Sequence, residues 1–132
     1  MPEVNWLAVV AAATSAFLLG GAWYSKAMFL NAWQRGSGLT DDQLQKGHPG
    51  TIFGGAFVLS LVSAATFAMF LGTELPVEET TMYGFIAGLC WVAASFGINY
   101  LFERKNFTLF LVNGGYHTVQ FTLYGLILGL WK

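Results

Sequence analysis

Residues 4–25 read VNWLAVVAAATSAFLLGGAWYS, 22 positions without a charged side chain. Leu7 to Ala13 shows no alternation of apolar and polar residues, which a strand of a membrane barrel requires. An α-helix rises about 1.5 Å per residue, so this run spans the roughly 30 Å hydrocarbon layer of a bilayer. Charges punctuate the rest of the chain in the same way. Residues 47–73, 80–102 and 106–131 also lack Asp, Glu, Lys and Arg, and the apolar part of the first of these begins near Thr51. The reading is an all-α, integral membrane four-helix bundle, one transmembrane domain over 1–132 with helices at 4–25, 51–73, 81–102 and 107–131.

Composition agrees. Of 132 residues, 55% are hydrophobic and 10% charged, against about 25% charged in an ordinary soluble domain. A net charge of −1 excludes a nucleic-acid partner held by bulk electrostatics. The single cysteine, Cys90, lies in an apolar run and has no partner for an internal disulfide. Met1-Pro2-Glu3 lacks the basic start of a signal peptide, so the first apolar run is expected to be a retained membrane helix.

The segment 26–50 is the longest connection. Met28, Phe29, Ala32 and Trp33 have helical spacing between Lys26 and Arg35, which predicts a short helix in the membrane interface, broken by Gly36-Ser37-Gly38. Thr40-Asp41-Asp42-Gln43 has capping-box spacing, predicting a second short helix to Lys46 that stops at Gly47. Glu74 to Glu79 forms an acidic loop around Pro76, and Glu103-Arg104-Lys105-Asn106 a tight turn. Burying Arg104 and Lys105 at mid-membrane would cost roughly 5–7 kcal/mol, so that turn is a firm boundary. Lys26, Arg35, Lys46, Arg104 and Lys105 lie on one side and Lys132 on the other. The positive side stays in the cytoplasm, which puts both termini outside the inner membrane. Trp6, Trp23, Tyr24, Trp33 and Trp131 fall at the expected interfaces.

Lipid is as apolar as leucine, so helices in it associate by close packing, which small residues permit. Ala12, Ala16 and Gly20 form such a strip. Ser60, Ala64, Ala68 and Gly72 form a second, Gly84 and Gly88 a third, Gly125 and Gly129 a fourth. They predict a compact bundle, or in part an interface with another copy. A weak internal repeat is also visible. Gly21-Ala22-Trp23-Tyr24 resembles Gly97-Ile98-Asn99-Tyr100, and Gly54-Gly55 resembles Gly114-Gly115, as in transporters built from two halves.

Asn113, His117, Gln120 and Tyr124 follow steps of four, three and four, and so share one helix face. His117 falls near mid-span, where a polar side chain must face protein or water. Depth matching names Ser15, Ser60 to Ser63 and Ser95 as hydroxyl partners, with Tyr24, Asn99, Tyr100 and Glu103 lying toward the cytoplasm. The expected arrangement is a polar pocket opening inward with His117 at its floor. Two readings stand: a neutral, hydrogen-bonded histidine that sets helix register, or a site for a proton or small ligand. No Cys/His cluster has metal-ligand spacing, and no phosphate loop or paired nucleophile and base occurs, so neither a metal, a cofactor nor a catalytic residue is assigned.

Asn5-Trp6, Gly20-Gly21-Ala22-Trp23-Tyr24-Ser25, Trp33, Gly38-Leu39-Thr40, Asn99-Tyr100-Leu101-Phe102-Glu103 and Phe110-Leu111-Val112-Asn113-Gly114-Gly115-Tyr116-His117 together resemble the bacterial membrane family called domain of unknown function 1761. The resemblance covers nearly the whole chain; where the family carries a proline after Trp-Tyr-Ser, Lys26 stands here. It implies a small four-helix inner-membrane protein and supplies no activity. The first functional expectation is a non-enzymatic bundle acting by association with membrane lipid around it, as an accessory subunit or homo-oligomer. The alternatives are a carrier or proton pathway at His117 and Asn113, and an enzyme acting on a lipid or quinone.

Overall fold

The computed structural model describes residues 3–132, and among them every regular element is helical. The order is α1 (Trp6–Trp23), α2 (Leu30–Ser37), α3 (Asp41–Lys46), α4 (Pro49–Leu71), α5 (Val77–Ile86), a π-helical segment (Ala87–Ala93), α6 (Ala94–Glu103) and α7 (Phe107–Leu130). The run from α5 through the π segment to α6 is one rod, Val77–Glu103. Three helices are long and apolar enough to cross a membrane: α1, α4 and that rod.

α7 is the exception to the four apolar rods expected from sequence. It has 24 residues and none is charged, yet it is not among those three. Asn113, His117 and Gln120 interrupt its apolar run. The reason becomes clear from its position, because α1, α2, α5 and the π segment all pack on it. Its polar side chains meet protein, so this helix does not need the apolar surface that its neighbours turn outward.

Local chemistry sets the helix ends. Asn5, His48 and Asn106 each cap a helix start, accepting from the N–H of Ala8, Thr51 and Leu109 at 3.2, 3.1 and 2.8 Å. The capping box is present, with Gln43 N–H to Thr40 Oγ1 at 3.2 Å and Thr40 N–H to Gln43 Oε1 at 2.9 Å, and Gly47 caps the end of α3. α5 starts at Val77 rather than near 81, because Pro76 suits a helix start and Glu78 and Glu79 in the first turn suit its dipole. α2 begins at Leu30, leaving Met28 and Phe29 in the preceding turn, and runs through Gly36 to Ser37. Gly38, with φ of +77°, ends it. Gly36 is also where α2 meets α7, since a Cβ there would lie 2.7 Å from Leu109 Cβ.

The small-residue strips are used within the chain. Ala12 and Ala16 of α1 and Ala64 and Ala68 of α4 are buried in one apolar cluster, and Gly20 lies against the Tyr116 ring. Gly72 departs from its strip, ending α4 with φ of +68°. The closest approach is between the rod 77–103 and α7. A Cβ on Gly84 would strike the Phe121 carbonyl, one on Gly88 the His117 carbonyl, and one on Gly125 the Thr80 carbonyl. Gly114 lies against Ala93, and Gly97 against the Phe110 ring.

That contact row explains the π segment. Along the rod, the small residues facing α7 are Gly84, Gly88, Ala93 and Gly97, at steps of four, five and four. A regular α-helix turns about 100° per residue, so the five-residue step would carry Ala93 and Gly97 off the shared face. The π segment absorbs the extra residue, with Ala94 N–H bonding to the Leu89 carbonyl five positions back.

Much of the outward surface of the long helices is apolar. Leu18, Leu59, Phe70, Leu101, Phe102 and Phe107 are among many large exposed side chains, and Phe102 is 84% exposed. Exposed apolar area of this extent marks a contact with lipid or another apolar surface.

Candidate functional site

α7 presents two polar clusters, one turn apart. The first centres on Asn113. Tyr24 O–H donates to Asn113 Oδ1 at 2.6 Å, and Asn113 Nδ2 donates to Tyr100 O–H at 2.6 Å. The carboxamide thus latches the end of α1 to the end of α6. The two tyrosines are the ones that close the paired segments of the weak repeat. The paired glycines are not equivalent, however: Gly54 and Gly55 face open space, whereas Gly114 and Gly115 pack against Ala93 and Trp23. Trp23 Nε1 donates to the Val112 carbonyl at 2.8 Å, and Tyr116 O–H to the Ala16 carbonyl at 2.9 Å. The Tyr24 ring meets Trp33 edge to face and packs tilted against Tyr116.

The second cluster is a directed chain from His117. Tyr124 O–H lies 3.3 Å from the Ser60 carbonyl of α4, which can only accept. Tyr124 oxygen therefore accepts from Gln120 Nε2, at 2.7 Å. This turns Gln120 Oε1 toward His117 Nδ1, 2.6 Å away, so Nδ1 must carry the proton of the neutral ring. The Ser60 carbonyl, three links away, thereby fixes the tautomer. Nε2 is left with a free lone pair and makes no hydrogen bond among the described residues. The ring is held by parallel stacking on Phe96, with centroids 4.9 Å apart and planes at 11°, and by the edge of Tyr116 at 5.0 Å. Gly88 of the π segment lies against the backbone at His117 and Thr118.

Of the residues expected at the site, the structure brings His117, Gln120 and Tyr124 into one chain and Asn113, Tyr24 and Tyr100 into another. Asn99 is exposed and outside both. Ser15 is not a partner of His117. Its hydroxyl donates to the Ala12 carbonyl at 2.7 Å, as Ser60, Ser63 and Ser95 donate to carbonyls of their own helices. Serine in a helix readily bonds backward in this way, so the partner of His117 is Gln120, one turn along its own helix. Depth matching identified Ser60 by its hydroxyl, but its main-chain carbonyl is what enters the network. The sequence reading missed Phe96, whose stacking role has no periodic signal, and Tyr116. Tyr24 and Tyr100 bond to Asn113, and the Tyr116 ring packs against that of Tyr24.

Among the described residues, no three His, Cys, Asp or Glu side chains group to hold a metal ion. His48 caps α4, remote from His117 in the chain. Every buried side-chain nitrogen or oxygen among the described residues has a partner, so the polar face of α7 is a satisfied network with one acceptor left over, at Nε2.

A family model described as a protein of unknown function, DUF1761, matches residues 7–129. No curated protein and no solved structure matches the chain.

Proposed function

The chain belongs to the DUF1761 family, and we propose that it is a four-span inner-membrane protein that binds a proton or small ligand at His117, as a carrier or pathway rather than an enzyme. The fourth span is α7. Its polar face is covered by neighbouring helices, and a helix so covered crosses a bilayer without being strongly apolar itself. The basic residues of segment 26–50 and of Arg104 and Lys105 support a cytoplasmic position for that end, with both termini outside. Single cysteines placed at Ser37 and at Glu78 test this: a membrane-impermeant thiol reagent added to intact cells should label the second and spare the first. The reverse pattern overturns the orientation, and labelling of both overturns the span count.

The observation that carries the functional reading is the lone pair of His117 Nε2. A purely structural histidine in an apolar medium is expected to have both ring nitrogens satisfied, since an unmade bond there costs free energy. The test is proton flux in liposomes, read by an internal pH dye, with His117→Phe as the comparison. Phe keeps the stacking on Phe96 and removes the base. Loss of flux in a variant that retains the helical fold supports the reading, and unchanged flux refutes it.

A second reading is favoured by one feature. The start of α4, from Thr51 to Ala56, is exposed, and Gly54 and Gly55 have nothing within 4 Å. A partner helix, from an accessory subunit or a second copy, would find a smooth surface there. Gly55→Phe should then shift the mass of the particle purified in mild detergent, and an unchanged mass would count against it.

A further inference from the structure

α4 leans on α1 and barely touches the rod 77–103, which leaves a cleft of about 280 Å³ between α4 and the π segment. Ser63, Thr66, Phe67 and Phe70 form one wall, Ala87, Trp91 and Val92 the other, and Phe121 of α7 the floor. The two hydroxyls of the cleft are already committed. Ser63 Oγ donates to the Leu59 carbonyl at 2.9 Å, and Thr66 Oγ1 to the Val62 carbonyl at 2.8 Å. The remaining lining is aromatic and aliphatic, and the indole N–H of Trp91 is its one uncommitted side-chain donor.

His117 lies one helical turn from the floor residue Phe121 along α7, and its stacking partner Phe96 one turn from the wall residue Val92. One turn advances about 5.4 Å. Phe121 and Val92 line the cleft, and the next turn of each helix brings His117 and Phe96, which stack on one another just beyond the lining; the chain from Ser60 through Tyr124 and Gln120 holds that histidine as an acceptor at Nε2. Phe96 covers one face of the ring and Tyr116 meets it edge-on.

We propose that the cleft and His117 Nε2 together form a binding site for a membrane-dissolved amphiphile with a hydroxyl head, an alcohol or phenol on an apolar chain. The chain lies in the cleft against Trp91 and Phe67, and the hydroxyl donates to Nε2. A head group with acceptors alone, such as an ester or a quinone carbonyl, gains nothing at this nitrogen, because the tautomer offers it no proton. A hydroquinone can donate to this nitrogen and the corresponding quinone cannot. This identification of the ligand rests on His117 being a binding site and adds the class of molecule it takes.

The test uses the full chain in detergent, labelled with ¹⁵N-histidine. The chain has two histidines, so the ring nitrogens of His117 and His48 are resolved without further engineering. The probe is a decyl-substituted hydroquinone kept reduced, with its dimethyl ether as the comparison. The expected result is a saturable shift of the His117 Nε2 signal with the hydroquinone, about tenfold weaker binding of the ether, and no response of His48. Ser63→Phe, which fills the cleft from a half-buried position, should weaken hydroquinone binding while leaving the His117 signal in place. Gln120→Leu frees the tautomer, and should remove the preference for the hydroquinone over the ether. No shift with the hydroquinone, or equal shifts with both probes in the parent chain, overturns the proposal. A chain that fails here but shows His117-dependent flux keeps the functional reading and loses only the ligand. One that binds the probe without such flux keeps the ligand and loses the carrier.

Discussion

Replacing Gly84 by alanine tests the close approach of α5 and α7. A Cβ at that position would strike the Phe121 carbonyl oxygen and lie 2.9 Å from its carbon and 3.2 Å from Thr122 Cα. Carbon atoms rest at about 3.5 Å or more, so the carbonyl carbon alone demands about 0.6 Å of separation between α5 and α7. The obstacle is backbone, which no rotamer change can relieve. Overpacking of this kind costs about 1–3 kcal/mol, while alanine recovers up to about 1 kcal/mol over glycine as a helix former. Three backbone atoms lie within 3.2 Å of the Cβ, so the upper part of that range, about 2–3 kcal/mol, applies, and the expected net loss is about 1–2 kcal/mol. Gly54→Ala is the matched comparison, because nothing lies within 4 Å of its Cβ. There only the propensity term acts, and the variant should be as stable as the parent or up to about 1 kcal/mol more so. Equilibrium unfolding in mixed micelles, followed by circular dichroism as the denaturing detergent fraction rises, measures both. If Gly84→Ala matches or exceeds the parent in stability, the intimate contact of the two helices is wrong.

Asn113→Leu should destabilise by about 1–3 kcal/mol, because Tyr24 loses its acceptor and Tyr100 its donor; Asn99→Leu, at an exposed position, should stay within about 0.5 kcal/mol in the same unfolding assay. Gln120→Leu should cost a comparable 1–3 kcal/mol, roughly, by stranding Tyr124 and His117, and the proton of the His117 ring should no longer be confined to Nδ1 in ¹⁵N spectra. Deleting Cys90, an exposed residue of the π segment, restores four-residue steps from Gly84 to Gly97 and should give a folded protein. Inserting an alanine after Cys90 should not, as judged by elution from a sizing column in detergent.

The chain's helical class was legible from its charge-free runs, and the ends of α3 from Thr40, Gln43 and Gly47. These signals are local, so they survive whatever packs around them. The start of α5 was legible too, in Pro76 followed by Glu78 and Glu79, but hydropathy drew attention to the apolar residues beyond. The face of α7 emerged from the four-three-four spacing, and the structure adds that its polar residues mostly bond along that same face. Across helices, depth matching found the level of Ser60 but not the atom, since serine hydroxyls prefer their own backbone. The π segment left a trace that counting by four passes over: small residues at 84, 88, 93 and 97. Recognising it requires knowing which face meets α7, and that is settled only by the partner helix.

The most enclosed helix is also the one synthesised after its neighbours. While a ribosome is still adding residues beyond Phe107, the Gly84, Gly88, Ala93 and Gly97 row has no partner and lies bare to acyl chains, and Tyr24 and Tyr100 wait for the amide that will join them. A chain arrested before Asn113 should therefore be a loose set of inserted hairpins, exposed to membrane proteases, and closure should come in one step when α7 arrives.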